Sequence, residues 1–183
     1  MPSPVGHLLA GAAVALTVAP RGGHRLAIAV AALAAAPDLD LLLPVQHRTV
    51  THSVAAVAAV AVGTILAIVV TRQVTARARI VAVCSLAVAS HMLLDWLGPD
   101  PVFPHGLQML WPFSDRFYIS GWDLFKPTAR TGLFTRPTMV RNLTAVAYET
   151  AVLGPVVLML WLVRVKTAAR LPAKMAGRDH AAQ

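Results

Sequence analysis

Histidines and aspartates recur in this chain where an apolar sequence has no structural need of them. His7 stands in GHLLAG, Asp38 and Asp40 in PDLD, His47 and His52 in HRTVTHS, and His91 and Asp95 in SHMLLD. Imidazole nitrogen and carboxylate oxygen, without thiolate, form a donor set that suits Zn²⁺ best and also admits Mn²⁺ or Fe²⁺. Three or four such groups around one ion, with a position left open, make a catalytic centre in which the ion lowers the pKa of its bound water toward neutrality. A larger set suggests two ions, able to stabilise the attacking and leaving oxygens of a phosphoryl-type displacement.

Spacing refines the set. Residues four apart on an α-helix are about 40° apart around the axis, so His91 and Asp95 share a face and can grip one ion or bond each other. Asp38 and Asp40, two apart, would diverge by about 200° on a regular helix, so both reach one site only if the backbone is unwound there. Pro37 favours that, since it removes a donor and disturbs the preceding turn. His47 and His52 also diverge on a helix, which puts His47 in a loop and lets Thr51 cap the helix that starts near His52. Taken singly, each histidine has a plainer reading as a capping or interfacial group. Asp38 or Asp40 could likewise end a helix or pair with Arg48, itself a possible headgroup anchor.

The elements that must carry these residues are membrane spans. Of the 183 residues, 57% are hydrophobic and 13% charged, with mean hydropathy +0.65, outside the usual soluble balance. Apolar runs lie at about 8–19, 26–43, 54–70, 80–97 and 145–163. Those near 18 residues can cross the roughly 30 Å hydrocarbon core as helices, and lipid favours helix because the backbone must satisfy its own hydrogen bonds. The expected fold is therefore all-α, a multi-pass bundle of four or five spans. The first run is short, but no Lys or Arg precedes it and further apolar runs follow, so it is read as retained and not as a signal peptide. Cys84 is the lone cysteine, can form no intrachain disulfide and carries no information on compartment. The formal charge of +8 falls in short loops and the tail, which points to anionic headgroups and not to nucleic acid.

Basic residues also set the expected orientation. Arg21 and Arg25, then Arg72, Arg77 and Arg79, then Arg164, Lys166, Arg170, Lys174 and Arg178 fall on one side of a five-span bundle, which is the cytoplasmic side by the positive-inside rule. The N-terminus and HRTVTHS then face outward, and the costly His and Asp residues gather at one membrane depth, an arrangement that marks function by default. Residues 1–165 form a single membrane-embedded domain in this reading. Its 98–144 connection, rich in Pro, Gly and aromatics, forms an outer cap, and 166–183 form a basic mobile tail. Trp96, Trp111, Phe113, Tyr118 and Trp122 suit an interfacial belt.

Taken in order, GHLLAG, PDLD, HRTVTHS, SHMLLD and LWPFS resemble the YdjM-like family of inner-membrane-associated proteins assigned as metal-dependent hydrolases, over about residues 3 to 116. The resemblance implies a multi-pass helical protein of the inner membrane with a His/Asp metal site and hydrolytic activity. It implies His7, Asp38, His52, His91 and Asp95 as ligands, with Asp40 and His47 as further ligands or their partners. Asp40 or Asp95, whichever is not coordinated, is the expected general base. Arg48 and Arg116 are the expected anion contacts, with Ser114 and more weakly Asp115 beside them, because guanidinium matches phosphate bidentately. Thr49 stands where family members often have Gly. The His-x-x-x-Asp pair also looks like part of the zinc sites of helical zinc-dependent phospholipases C, an analogy that favours a phosphoester.

The expectation is thus a membrane-bound metal-dependent hydrolase using one or two divalent ions, zinc before manganese or iron, on a lipid or lipid-linked phosphoester or ester. Its partners are membrane lipids and an amphiphilic substrate. An ion or proton relay, or a silent protein whose metal only ties helices together, are the rivals from other classes.

Overall fold

The computed structural model describes residues 1–20, 22–43, 46–72 and 77–179, with side chains as far as Thr167. Arg21 lies outside the described residues, as do the side chains of Arg170, Lys174 and Arg178. Among the described residues the chain is all-α, with five α-helices: α1 (Pro4–Val18), α2 (His24–Ala35), α3 (Val54–Val70), α4 (Arg77–Leu97) and α5 (Arg136–Asp179). Only α4 and the 136–167 part of α5 are long and apolar enough to cross a membrane, while α1 and α3 are shorter apolar helices.

The apolar run 26–43 does not make one regular span. The α-helix stops at Ala35, and a 3-10 segment, Ala36–Leu42, follows with Pro37 in its first turn. Proline supplies no N–H, so the ladder tightens there, while Pro37 and Asp40 stay buried. Leu42 and Leu43, apolar in sequence, are exposed. A helix claims more at the other end of the chain than the apolar pattern implies: α5 takes in 136–144, expected in the cap, and continues past 166 to Asp179.

Helix α1 is the hub and packs on α2, α4 and α5, while α3 lies against α4. Ser3 caps it, the hydroxyl accepting from the Gly6 amide at 3.3 Å, with Pro4 in the first turn where its missing N–H costs nothing. Close approach to α2 depends on Gly11, where a Cβ would lie 2.6 Å from the Ala34 Cβ. The seam below is built of Ala15, Ala19, Val30, Ala34, Val83 and Ala87, small side chains that let backbones approach. By contrast the outer faces of α3 and α5 present Ile65, Leu66, Val69, Leu158 and Trp161 uncovered by protein.

Between α4 and α5 runs an irregular cap that closes one end of the bundle, with one isolated antiparallel bridge, Leu107 to Tyr118. Backbone bonds stitch it down: the amides of Ser120 and Leu124 donate to Trp96 and Leu97 at 3.0 and 2.9 Å, and Val54 donates to Met109 at 2.8 Å. The Asn142 side chain brackets Ala129 from both sides, accepting at 2.8 Å and donating at 2.9 Å.

Candidate metal centre

Beneath the cap, the structure brings His7 (α1), Asp38 and Asp40 (the 3-10 segment), His47, His52 (a second 3-10 turn, Val50–His52) and His91 and Asp95 (α4) to one point. His7, His52, His91, Asp40 and Asp95 are all at most 1% exposed. The 3-10 winding explains how both aspartates take part. At about three residues per turn their directions differ by about 120°, less than the 160° that an α-helix would leave between them. The helix α3 is capped by Ser53, whose hydroxyl accepts from the Ala56 amide at 3.4 Å, and not by Thr51. Thr51 donates instead to Asp40 Oδ2 at 2.6 Å.

Four donor atoms converge: Asp38 Oδ1, His52 Nε2, His91 Nε2 and Asp95 Oδ2. Five edges of this set are 2.9 Å between the two nitrogens, 3.7 and 3.8 Å from them to Asp38, and 3.4 and 3.3 Å to Asp95. A tetrahedral ion with bonds near 2.0–2.1 Å requires ligand-to-ligand edges of about 3.3 Å, in the middle of that range. The tautomers fit as well. His91 Nδ1 lies 2.8 Å from the Ala34 carbonyl oxygen, an acceptor only, so Nδ1 carries the proton and Nε2 presents a lone pair. His52 Nδ1 meets the Thr51 hydroxyl at 2.9 Å and Asp40 Oδ2 at 3.4 Å; that hydroxyl spends its proton on Asp40 and accepts from the ring. Both Nε2 atoms thus face each other as lone pairs, which repel unless a cation or a proton stands between them. The donor set fits a divalent ion.

Electrostatics favour positive charge at the same point. Burial acts to lower the pKa of His52, but bonds to Asp38 and Asp40 and the charge of Asp95 outweigh it and push the pKa up to about 9. Burial would raise the Asp40 carboxyl, yet His52, Thr51 and His47 hold it below the ordinary carboxylate range. His47 is brought down to about 4, first by burial and only partly restored by Asp40, so it is neutral near pH 7.

The remaining ligand candidates differ in how they are held. His47 Nδ1 donates to Asp40 Oδ1 at 2.5 Å, and its Nε2 lies 4.0 Å from Asp38 Oδ1. A second group, Asp40, His47 and His52, has donor atoms close enough to hold an ion too. His7 stacks on His91 with ring centroids 3.7 Å apart, and its Nε2 is 3.4 Å from Asp95 Oδ1. Neither nitrogen of His7 has a hydrogen-bond partner among the described residues, and the same holds for both Asp95 oxygens.

The expected anion contacts fare differently. Arg48 is buried, but it forms an ion pair with Asp100 of the cap and donates to the Val102 carbonyl at 3.2 Å. In the HRTV turn Arg48, with φ 68°, lies in the left-handed region, and Thr49 has φ −105° and ψ −112°. Arg116 is exposed, and Ser114 bonds Tyr118 at 3.2 Å and the Arg116 amide at 3.3 Å. No hydrogen bond or ion pair among the described residues joins Ser114, Asp115 or Arg116 to the cluster, and the Leu107–Tyr118 bridge ties this part of the cap together.

Glu149 is a buried group that the sequence reading passed over. It projects from α5 onto the start of α1, accepts from the Ser3 amide at 2.7 Å, the Gly6 amide at 3.1 Å and the Ser3 hydroxyl, and so fixes the turn that carries His7. A Cβ at Gly6 would stand 2.7 Å from its carboxylate. A lone Glu in the apolar run AVAYETAVLG was the available signal.

Compared with known proteins, residues 1–170 match the family model described as YdjM inner membrane protein. No curated protein and no solved structure matches the chain.

Proposed function

The chain belongs to the YdjM inner membrane protein family, and from that premise we propose that it is a multi-pass, membrane-bound, metal-dependent hydrolase acting on a lipid or lipid-linked phosphoester or ester. The observation that carries the proposal is the pair of nitrogens His52 Nε2 and His91 Nε2, 2.9 Å apart between two carboxylates, an approach that needs a cation or a proton between them. In this reading Asp38, His52, His91 and Asp95 hold the ion. When bound, it supplies a Lewis acid and a water of lowered pKa. Zinc suits the set best, with manganese or iron admitted, and a second ion at the Asp40, His47 and His52 group would have to replace the hydrogen bonds among them.

The chain's own groups divide the remaining work. Asp40, with its oxygens committed to His47, Thr51 and His52, orients the rings, the role that carboxylates play behind ligating histidines. Asp40 is thereby less suited to act as the base, and Asp95 is spent as a ligand, so neither expected carboxylate is left free for that role. His7 Nε2, beside Asp95 Oδ1, is placed to receive or return a proton. The substrate side is amphiphilic: an apolar groove of about 560 Å³ between α3 and α4, lined by Val54, Ala58, Met92 and Trp96 among others, begins next to the residues that follow His52 and His91.

The cluster end is read as the outer face, with the C-terminus cytoplasmic, from the basic residues at the opposite end. A relay through the bundle is less supported. Below the cluster the buried seam is Ala15, Val30, Ala34, Val83 and Ala87, none of which passes a proton. The test is hydrolysis of phosphoester and carboxylic-ester lipids by detergent-purified protein, with and without chelator. Chelator-sensitive release supports the hydrolase; none from metal-loaded protein across both classes would sink it.

A further inference from the structure

Beside the cluster, where the start of the chain, the HRTV turn and the cap meet, lies a cavity of about 220 Å³. Three guanidinium groups line it, Arg48, Arg130 and Arg141, together with Thr128, Thr131 and a single carboxylate, Asp100. The volume is below the ~300–1,000 Å³ of sites that enclose a whole small molecule, so it suits one compact group.

None of these cations is saturated by protein. Asp100 is committed to the cap, accepting from the Gly106 amide at 2.7 Å and the Val102 amide at 3.2 Å, and it offsets Arg48 alone. The Arg48 guanidinium is only 6% exposed, and its Nε has no hydrogen-bond partner among the described residues. Arg130 donates to the Met1 thioether at 3.1 Å, a weak acceptor that leaves the charge unmet. Arg141 uses Nε on the Pro127 carbonyl at 3.1 Å, and its two terminal nitrogens make no hydrogen bond or ion pair among the described residues. The positive field of Arg130 reaches both Arg48 and His47, and Arg48 in turn lies within reach of the charges of Asp40 and Asp95. An excess of guanidinium over carboxylate in a small recess, adjacent to a candidate metal centre, is a phosphate-binding arrangement, since each guanidinium offers a fork of N–H donors that matches phosphate oxygens.

The geometry points to this recess as the subsite for the phosphate group of the substrate, with Arg48, Arg130 and Arg141 as its donors, and hence to a phosphoester over a carboxylic ester. The assignment rests on the hydrolase reading for its position in a reaction but not for the binding itself. It also moves anion recognition from Arg116 to two arginines on the far side of the cap. The phosphate could belong to a lipid headgroup or be free in solution.

Arg48 is buried against Asp100, so replacing it risks the fold; Arg130 and Arg141 are exposed and are the residues to change. Inorganic phosphate and dihexanoyl phosphatidic acid are titrated calorimetrically into full-length protein in detergent, wild type beside Arg130→Gln/Arg141→Gln, with bound metal and melting temperature measured on each. The expected result is at least a tenfold loss of affinity for both ligands in the variant, with metal and melting temperature kept. Tighter wild-type binding of phosphatidic acid than of inorganic phosphate marks the headgroup as the source, and equal binding marks free phosphate. A wild type that binds neither ligand, or a variant that binds both as well as wild type, overturns the subsite. If the wild type holds no metal but the arginine variant still loses phosphate, the hydrolase reading fails and the subsite stands.

Discussion

Two halves of α4 both lie against α1 and do opposite things. Toward the start of the helix, Val83 and Ala87 are fully buried in a dry seam with Ala15, Val30 and Ala34. One turn beyond Ala87, His91 and Asp95 are as deeply buried but face His7, His52 and Asp38. The first half gains from burial: small side chains pack without a polar group to desolvate. The second half bears the cost of burying polar groups, and a buried polar cluster whose members lack partners is worse for stability than an apolar core. What packs the fold and what forms the candidate metal centre are thus separable along a single helix, and substitutions in each half should move different observables.

The largest effect is expected in the polar half. Asp95→Asn should weaken metal affinity by more than about 100-fold, since it removes a charged ligand outright where even an outer partner is worth 10–100-fold. Competition with a chelating dye reads this, and the melting temperature of the metal-free protein should not fall. Next, Asp40→Asn should weaken affinity by about 10–100-fold by releasing His47 and His52 from their acceptor. An unchanged affinity would show that Asp40 does not orient them. In the dry half, Ala87→Leu should lower stability by about 1–3 kcal/mol through overpacking, with metal content per folded chain unchanged. Denaturation in detergent and metal analysis together check it, and loss of metal at retained stability would contradict the separation. Thr51→Val is the mildest, about 1 kcal/mol, from deletion of one hydroxyl bridge between Asp40 and His52. It should appear as a few-fold loss of metal affinity.

The polar half was legible in sequence because ionisable residues in apolar runs are conspicuous. The i, i+4 step of His91 and Asp95 needs only helical geometry, and Pro37 announced the unwinding that turns Asp38 and Asp40 to one site. Hydropathy could not tell that 26–43 breaks at Ala35, since Leu41, Leu42 and Leu43 are as apolar outside a span as within one. Nor could it separate α5, whose apolar stretch is almost wholly uncovered by protein, from the more deeply packed α4: lipid and protein neighbours demand the same residues. Partners far apart in sequence stayed hidden for a different reason. Arg48 with Asp100, Arg130 with Met1 and Glu149 with Ser3 depend on how an irregular cap and a distant helix dock, and no local periodicity encodes that.

The central claim, that facing lone pairs of His52 and His91 between carboxylates exist to hold a divalent ion, is tested most directly by elemental analysis of detergent-purified protein beside a His91→Ala/Asp95→Ala variant. The account predicts zinc, or manganese or iron, at about one ion or more per wild-type chain, as expected of a buried His/Asp donor set, and its loss in the variant. A folded wild type as free of metal as the variant, even after incubation with each ion, would contradict it.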